Sequence, residues 1–269
     1  MVWGDWNPTA RDDNKETMVK KYSREINFDN VPNFRDLGGL RARGGRSVVR
    51  RRVFRSSEFS NMTRNDYDRL TKEIRLAAVI DLRSAEERER QGIGLLSETG
   101  IKFHNISFLT DGGNKNADEK RFTEFPGMGE FYVYLVKNKW FGQRIVEALE
   151  IIAAPENHPL VFHCAVGKDR TGLLAAFLLS ALGVADKDVI EDYALSGPPM
   201  QIIIKRLNSK PETAGFVTRI PAYFWGAAPE SMDLLLATLK KDYGSTVGYL
   251  KENGADSSLV KRLEKALLV

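Results

Sequence analysis

The chain has 269 residues, 42% of them hydrophobic and 28% charged, and a formal net charge of +4 at pH 7. That length supports one large domain or two small ones around a sizeable core, and that balance excludes a disordered chain. The positive excess suits anionic ligands but is too diffuse for a nucleic-acid partner, and a single cysteine rules out an internal disulfide.

In chain order, residues 1–25 are polar and turn-rich. They read as a flexible arm, with Trp3 and Trp6 docking on the body, ahead of a single domain over 26–269. The N-terminus lacks the basic-then-apolar pattern of a signal peptide, and the apolar run Leu173 to Ala185 is too short to span a bilayer. The expected location is the cytoplasm. Peripheral membrane contact and export without a signal peptide stay open.

Past the arm, RARGGRSVVRRRVFR (41–55) places a Gly-Gly turn between β-prone pieces and predicts a hairpin. Its arginines read as a solvated face, with a secondary anion-binding surface as the sharper alternative. VFRS (53–56) is a predicted strand, and Thr63 with Asp66 forms a capping box that starts a helix through Ile74. AAVIDL (77–82) predicts a buried strand followed by helical AEERERQ. KFHNISF (102–108) predicts another strand, ending in the loop TDGGN. A candidate lid lies around residues 111–140.

A helix is expected from about Phe131 to Ala154, then strand PLVFHC (159–164) and helix GLLAAFLLSAL, stopped by Gly183. ADKDVIEDYALSG reads as a helix with Asp186 as N-cap, followed by a Pro-Pro turn and three or four further helices. Strands apolar on both faces and alternating with helices predict an α/β fold: a central, mostly parallel sheet of about four to five strands flanked by helices. Ligands of such sheets bind outside the carboxyl ends of the strands.

At one of those ends stands HCAVGKDRTG (163–172), which holds the only cysteine. Cys164 and Arg170 bracket five residues ahead of a helix N-terminus, whose N–H groups and dipole favour an anion. The spacing describes a phosphate cradle: successive amides of Ala165, Val166, Gly167, Lys168 and Asp169 form a nest. Gly167 lets the backbone turn, and Arg170 grips phosphate oxygens with its planar fork. The same field acts on the thiol, whose pKa near 8.5 falls by roughly 2–4 units in such places. Cys164 is thus the candidate nucleophile.

His163 is placed to orient the loop. Thr171 can offer a hydroxyl to the sulfur, and Lys168 adds positive charge at the mouth. A chance turn with a structural cysteine accounts for Gly167 and Gly172 but not for this clustering.

The loop resembles the signature of the cysteine-dependent protein tyrosine phosphatase superfamily. Its HCxxGKDRTG form is similar to the atypical tyrosine/dual-specificity branch typified by mycobacterial protein tyrosine phosphatase B. VPNFRDLGGL (31–40), VFRSSEFS (53–60), VIDLRSAEER (79–88), DVIEDYALS (188–196) and YGSTVGYLKENG (243–254) resemble that branch in order. The resemblance implies a tyrosine phosphatase-like fold, no metal or other cofactor, and a phosphocysteine intermediate. Its implied substrates are phosphotyrosine and phosphoserine/threonine proteins or phosphoinositides, with Lys168 resembling the loop lysine of phosphoinositide phosphatases.

The leaving group needs an acid. Asp111 is favoured for its place after strand KFHNISF, at the correct edge of the sheet. Asp169 is the alternative, or else a brace for the loop. Asp81 reads as structural, capping the next helix. Arg35 and Asp36 read as an ion pair fixing the Gly38-Gly39 turn, with a place on the site's rim as the sharper reading. His104 and His158 stand apart from other ligand-type residues and receive no metal role. Two rival functions remain. One is an inositol polyphosphate or RNA 5′-phosphatase; the other is a catalytically inactive phospho-ligand binding module.

Overall fold

The computed structural model describes residues 23–109, 124–209, 215 and 217–269. The first 22 residues of the expected arm therefore lie outside the described residues. Five strands form one sheet in the order β1-β2-β5-β3-β4: β1 (Arg35–Asp36), β2 (Val53–Ser56), β3 (Ala78–Asp81), β4 (Lys102–Asn105) and β5 (Leu160–His163). Only the β1–β2 pair is antiparallel. The expected α/β architecture is the one observed.

Alternation along the central strands explains how the sheet is covered. Val53, Ala78, Ile80, Leu160 and Phe162 face one apolar cluster, while Phe54, Val79 and Val161 face a second. A period of two sends successive side chains to opposite faces, so strands apolar at every position need helices on both sides. The smaller face is closed by α1 (Arg64–Asp68), which continues as a π-helical turn over Arg69–Ile74. Thr63 and Asp66 form the capping box at its start. The helix α2 (Ala85–Gln91) begins on a second box, Ser84 with Glu87.

The larger face holds α3 (Met128–Val136), α4 (Lys139–Ala153), α5 (Asp169–Ala181) and α6 (Asp186–Ala194). It also holds α7 (Gly197–Asn208), α8 (Ala222–Trp225), α9 (Pro229–Tyr243), α10 (Thr246–Glu252) and α11 (Leu259–Leu267). Helix α5 is buried on every side from Thr171 to Leu179, as a helix central to the core must be. Each Leu or Phe so buried contributes roughly 1.5–3 kcal/mol relative to exposure.

Several elements differ from expectation. The hairpin at the Gly44-Gly45 turn is present but short: the Ala42 N–H donates to the Arg46 carbonyl, Val48 to Leu40 and Gly39 to Val48, with Arg41 bridging Ser47. On the other edge of its second arm, Ser47 and Val49 pair with Val269 and Leu267 near the C-terminus, which the sequence pattern does not indicate. The helix expected over 131–154 is two, broken at Asn138, whose side chain accepts from the Trp140 N–H and caps α4. Ala185, not Asp186, is the N-cap of α6; Asp186 sits inside the first turn, where its charge still complements the helix dipole. Pro198 and Pro199 open α7 rather than a turn, since the first helical positions need no N–H donor. Of the candidate lid, residues 111–123 lie outside the described residues. Met128, Phe131, Tyr132 and Val136 of α3 are buried in the larger core.

Candidate active site

Strand β5 ends at His163, and the chain turns through residues 164–168 into α5. This loop stands at the carboxyl edge of the three parallel strands beside it, the edge that topology assigns to ligands. Cys164 lies at its base, 1% exposed.

What shapes the loop is the fate of its carbonyls. The Glu58 N–H donates to the Ala165 carbonyl at 3.3 Å, and Asn33 Nδ2 to that of Val166 at 3.1 Å. Arg55 Nη2 donates to the Gly167 carbonyl at 2.8 Å and the Lys168 carbonyl at 3.3 Å. A trans peptide is planar, with N–H and C=O pointing opposite ways. Four carbonyls drawn outward therefore turn the N–H groups of residues 166 to 169 inward, toward the space above Cys164. Gly167 makes this possible. Its φ is 71°, and a Cβ there would lie 2.5 Å from the Ser56 carbonyl carbon and oxygen.

Arg170, in the first turn of α5, meets Glu87 across the site. Nη1 donates to Oε2 at 2.6 Å and Nη2 to Oε1 at 2.8 Å. Two of the five guanidinium N–H donors are engaged in this fork, which fixes its plane. Glu87 also accepts the Ser84 N–H at 2.9 Å, so the helix cap and the arginine share one carboxylate. Burial opposes ionisation of Glu87, yet the Arg170 charge beside it holds the carboxyl below the usual range.

His163 is buried, with Nδ1 3.2 Å from the Cys164 carbonyl and Nε2 3.7 Å from Asp81 Oδ2. Burial pushes its pKa down. Asp81 is structural but caps no helix; it holds the buried Arg83 guanidinium at 2.8–3.1 Å, and Ser84 does the capping. The Thr171 hydroxyl is buried without a hydrogen-bond partner among the described residues, so its expected bond to the sulfur is not formed.

Two loop residues depart from their expected positions. Lys168 is not at the mouth: it is 0% exposed and turned back into the protein. Its Nζ donates to the Phe224 carbonyl and, at 2.8 Å, to the Gly226 carbonyl, and it lies over the Phe224 ring. A buried ammonium needs acceptors, and the end of α8 supplies them. Burial lowers its pKa, opposed by Asp169 at 3.4 Å. Asp169 takes a second contact from the Tyr132 hydroxyl, which is bonded in turn to the Tyr193 hydroxyl at 2.8 Å. Burial raises both phenols, Tyr132 well above the ordinary value, so both remain neutral donors. Asp111 lies outside the described residues.

Sequence reasoning missed Asn33, Arg55, Glu87, Tyr132 and Asp192. Arg55 belongs to the segment whose arginines read as a solvated face, yet it is 0% exposed. The signal was its place in VFRS, a strand buried on both faces, where an arginine must find internal partners. Glu87 carried the S-x-x-E cap signature, which says nothing of its second partner. Arg35 reaches Asp192 on α6 rather than Asp36, while Asp36 accepts the Gly38 and Arg51 N–H groups and so fixes the glycine turn. Among the described residues, no three His, Cys, Asp or Glu side chains gather as metal ligands.

The family model of the tyrosine phosphatase family matches residues 26–269. The chain belongs to that family. It is a phosphatase. Relatives include a tyrosine-protein phosphatase of Nostoc commune, 28% identical over 230 residues, covering 79% of this chain and 73% of the relative. The triple specificity protein phosphatase PtpB of Mycobacterium tuberculosis is 29% identical over 258 residues, covering 81% of this chain and 91% of that one. Among solved structures, the core catalytic domain of the PP-IP phosphatase Siw14 from S. cerevisiae aligns with a TM-score of 0.40 at 21% identity. That alignment covers 67% of this phosphatase and 93% of the yeast chain. No helix of the described residues is long and apolar enough to cross a membrane.

Proposed function

We propose that this phosphatase hydrolyses phosphomonoesters of proteins, phosphotyrosine first among them, through a phosphocysteine intermediate at Cys164. The observation that carries the reading is the loop whose four carbonyls are held outward, leaving an amide array above the cysteine. The Cys164 sulfur attacks phosphorus and the ester P–O bond breaks, its electron pair leaving with the alcohol or phenol oxygen. The amides of residues 166–169 and the donors of Arg170 outside its Glu87 fork hold the charge that develops on the equatorial oxygens. A carboxylic acid protonates the leaving oxygen, a contribution of about 10²–10⁴-fold. Water, deprotonated by the same carboxylate, then attacks the thiophosphate, releasing inorganic phosphate and restoring the cysteine.

For the acid we retain Asp111. Support comes from Asp169, whose Oδ1 already accepts from Tyr132 beside the Lys168 ammonium and so serves as a brace between the loop, α3 and α6. A protein substrate is favoured over a phosphoinositide because Lys168, the residue that suggested a second phosphate subsite, is committed to the Phe224 and Gly226 carbonyls. The names of the relatives, tyrosine-protein phosphatase and triple specificity protein phosphatase, agree with a phosphoprotein substrate.

The test compares the unmodified protein with Cys164→Ser on an aryl phosphate, with EDTA present. Activity in the parent, its loss in the variant and a phosphate-mass adduct on Cys164 after acid quench are expected. Turnover surviving in Cys164→Ser sinks the mechanism. Rates on a phosphotyrosine peptide and a phosphoinositide panel, measured side by side, decide the substrate; faster turnover of the lipids refutes the protein reading.

A further inference from the structure

Behind the phosphate loop lies a buried carboxylate with an unusual retinue. Asp192, in the last turn of α6 and 1% exposed, accepts from three guanidinium groups: Arg24 at 2.7 Å, Arg35 at 3.2 Å and Arg55 at 2.6 Å. Burial opposes ionisation of Asp192, but Arg35, Arg55 and Arg24 together hold it well below the usual carboxylate range. Burial and the neighbouring Arg55 push Arg35 down to about 10, so it remains cationic at neutral pH. Three cations on one anion leave a surplus of two formal positive charges inside the protein.

Two arms run from this node to the cradle. Arg55 spans directly from Asp192 to the Gly167 and Lys168 carbonyls. Arg35 donates to Asn33 Oδ1, and Asn33 Nδ2 donates to the Val166 carbonyl. Asn33 has φ 63°, a left-handed backbone that asparagine tolerates better than most residues. Three consecutive loop carbonyls are therefore pulled outward by side chains that share one anchor. A hydrogen-bonded frame for the helix and strand ends accounts for the Asp192–Arg35 pair. It does not account for two arms converging on adjacent carbonyls of the loop.

We infer that Arg55 and Asn33, anchored together by Asp192, are positioning residues that aim the phosphate-binding amides of Gly167, Lys168 and Asp169, with the surplus positive charge behind them favouring a dianionic ligand. This rests on the phosphocysteine reading above. Removing an arm lets its carbonyl rotate and takes the opposing N–H off the phosphate. Loss of one aligned donor, or displacement by about 1 Å, typically costs about 10²-fold in rate. Because a bound dianion offsets the surplus charge, ligand and frame also stabilise each other.

The experiment uses the full chain and four proteins: the parent, Arg55→Lys, Asn33→Asp and Cys164→Ser. Lysine keeps the charge of Arg55 but cannot hold Asp192 and two carbonyls at once. Aspartate keeps the left-handed backbone and the acceptor for Arg35, but sets an oxygen against the Val166 carbonyl. Readouts are kcat and KM on p-nitrophenyl phosphate, inhibition by orthovanadate, and the rise in melting temperature that orthovanadate produces. Both positioning variants should lose about 10²-fold in kcat/KM and need correspondingly more orthovanadate, with a smaller ligand-induced rise in melting temperature. Either variant that folds, as judged by its circular dichroism and a cooperative melt, with kcat/KM and orthovanadate inhibition within twofold of the parent overturns the inference. Asn33→Asp carries the test if Arg55→Lys fails to fold. Cys164→Ser separates the two claims: turnover surviving there overturns the mechanism itself, whereas a dead Cys164→Ser beside unaffected positioning variants overturns only the inference.

Discussion

Gly167→Ala is the sharpest probe of the cradle, because its geometry supplies the magnitude. An alanine would keep φ near 71°, which costs an L-residue roughly 1–2 kcal/mol. Its Cβ would lie 2.5 Å from the Ser56 carbonyl carbon and oxygen and 2.6 Å from the Ser57 nitrogen. All three are backbone atoms at the end of β2 and cannot swing aside as a flexible side chain would. Relief to ordinary contact needs a displacement of nearly 1 Å, and overpacking of this kind costs about 1–3 kcal/mol. Stability should therefore fall by about 2–5 kcal/mol, read as a lowered urea midpoint at unchanged slope. The same 1 Å displaces the amides from the phosphate, so kcat/KM should fall about 10²-fold, equivalent to about 2.7 kcal/mol of transition-state binding. A variant with the parent midpoint and kcat/KM within twofold would show that the loop has room it is not credited with.

Glu87→Gln keeps the cap of α2, since glutamine also serves at that position, but it sets an amide N–H₂ against the Arg170 fork; kcat/KM should fall while helix content by circular dichroism stays unchanged. Lys168→Met strands the Phe224 and Gly226 carbonyls, at about 1–3 kcal/mol for a buried unpaired group; thermal melting should fall, and the ratio of phosphopeptide to phosphoinositide rates should not move. Stability should also decline in two stages as the medium is acidified. His163 is pushed below its unfolded value near 6.5, so the native state resists the proton that the unfolded chain accepts, and stability is lost as pH falls through that value. Asp192 and Glu87, held low in the fold, add a second loss below about pH 4. Melting temperature against pH checks both stages, and in His163→Gln the slope between pH 7 and 5 should flatten. An unchanged slope assigns the upper stage elsewhere.

Local signals were legible wherever they were sufficient. The cap at Thr63, the apolar strands and the loop HCAVGKDRTG each carry their cause within a few residues. What escaped depended on partners far along the chain. Arg55 and Asp192 are 137 residues apart, and Arg170 and Glu87 are 83 apart. No periodicity relates such pairs; only the sheet order β2-β5-β3 brings their elements to one edge. Lys168 failed for a related reason. In the sequence it is a charge beside a nucleophile, and its carbonyl acceptors at Phe224 and Gly226 come from a helix more than fifty residues later.

The reach of the Asp192 node bears on when the loop can acquire its full set of supports during synthesis. By the time Arg170 has left the ribosome, the nascent polypeptide already contains Cys164 and Arg170, the nucleophile and the phosphate-gripping arginine of the proposed mechanism. It does not yet contain the anchor on α6 that ties residues 33, 35 and 55 to the loop. A chain truncated before residue 192 carries the whole signature but lacks the carboxylate to which Arg35 and Arg55 are tied.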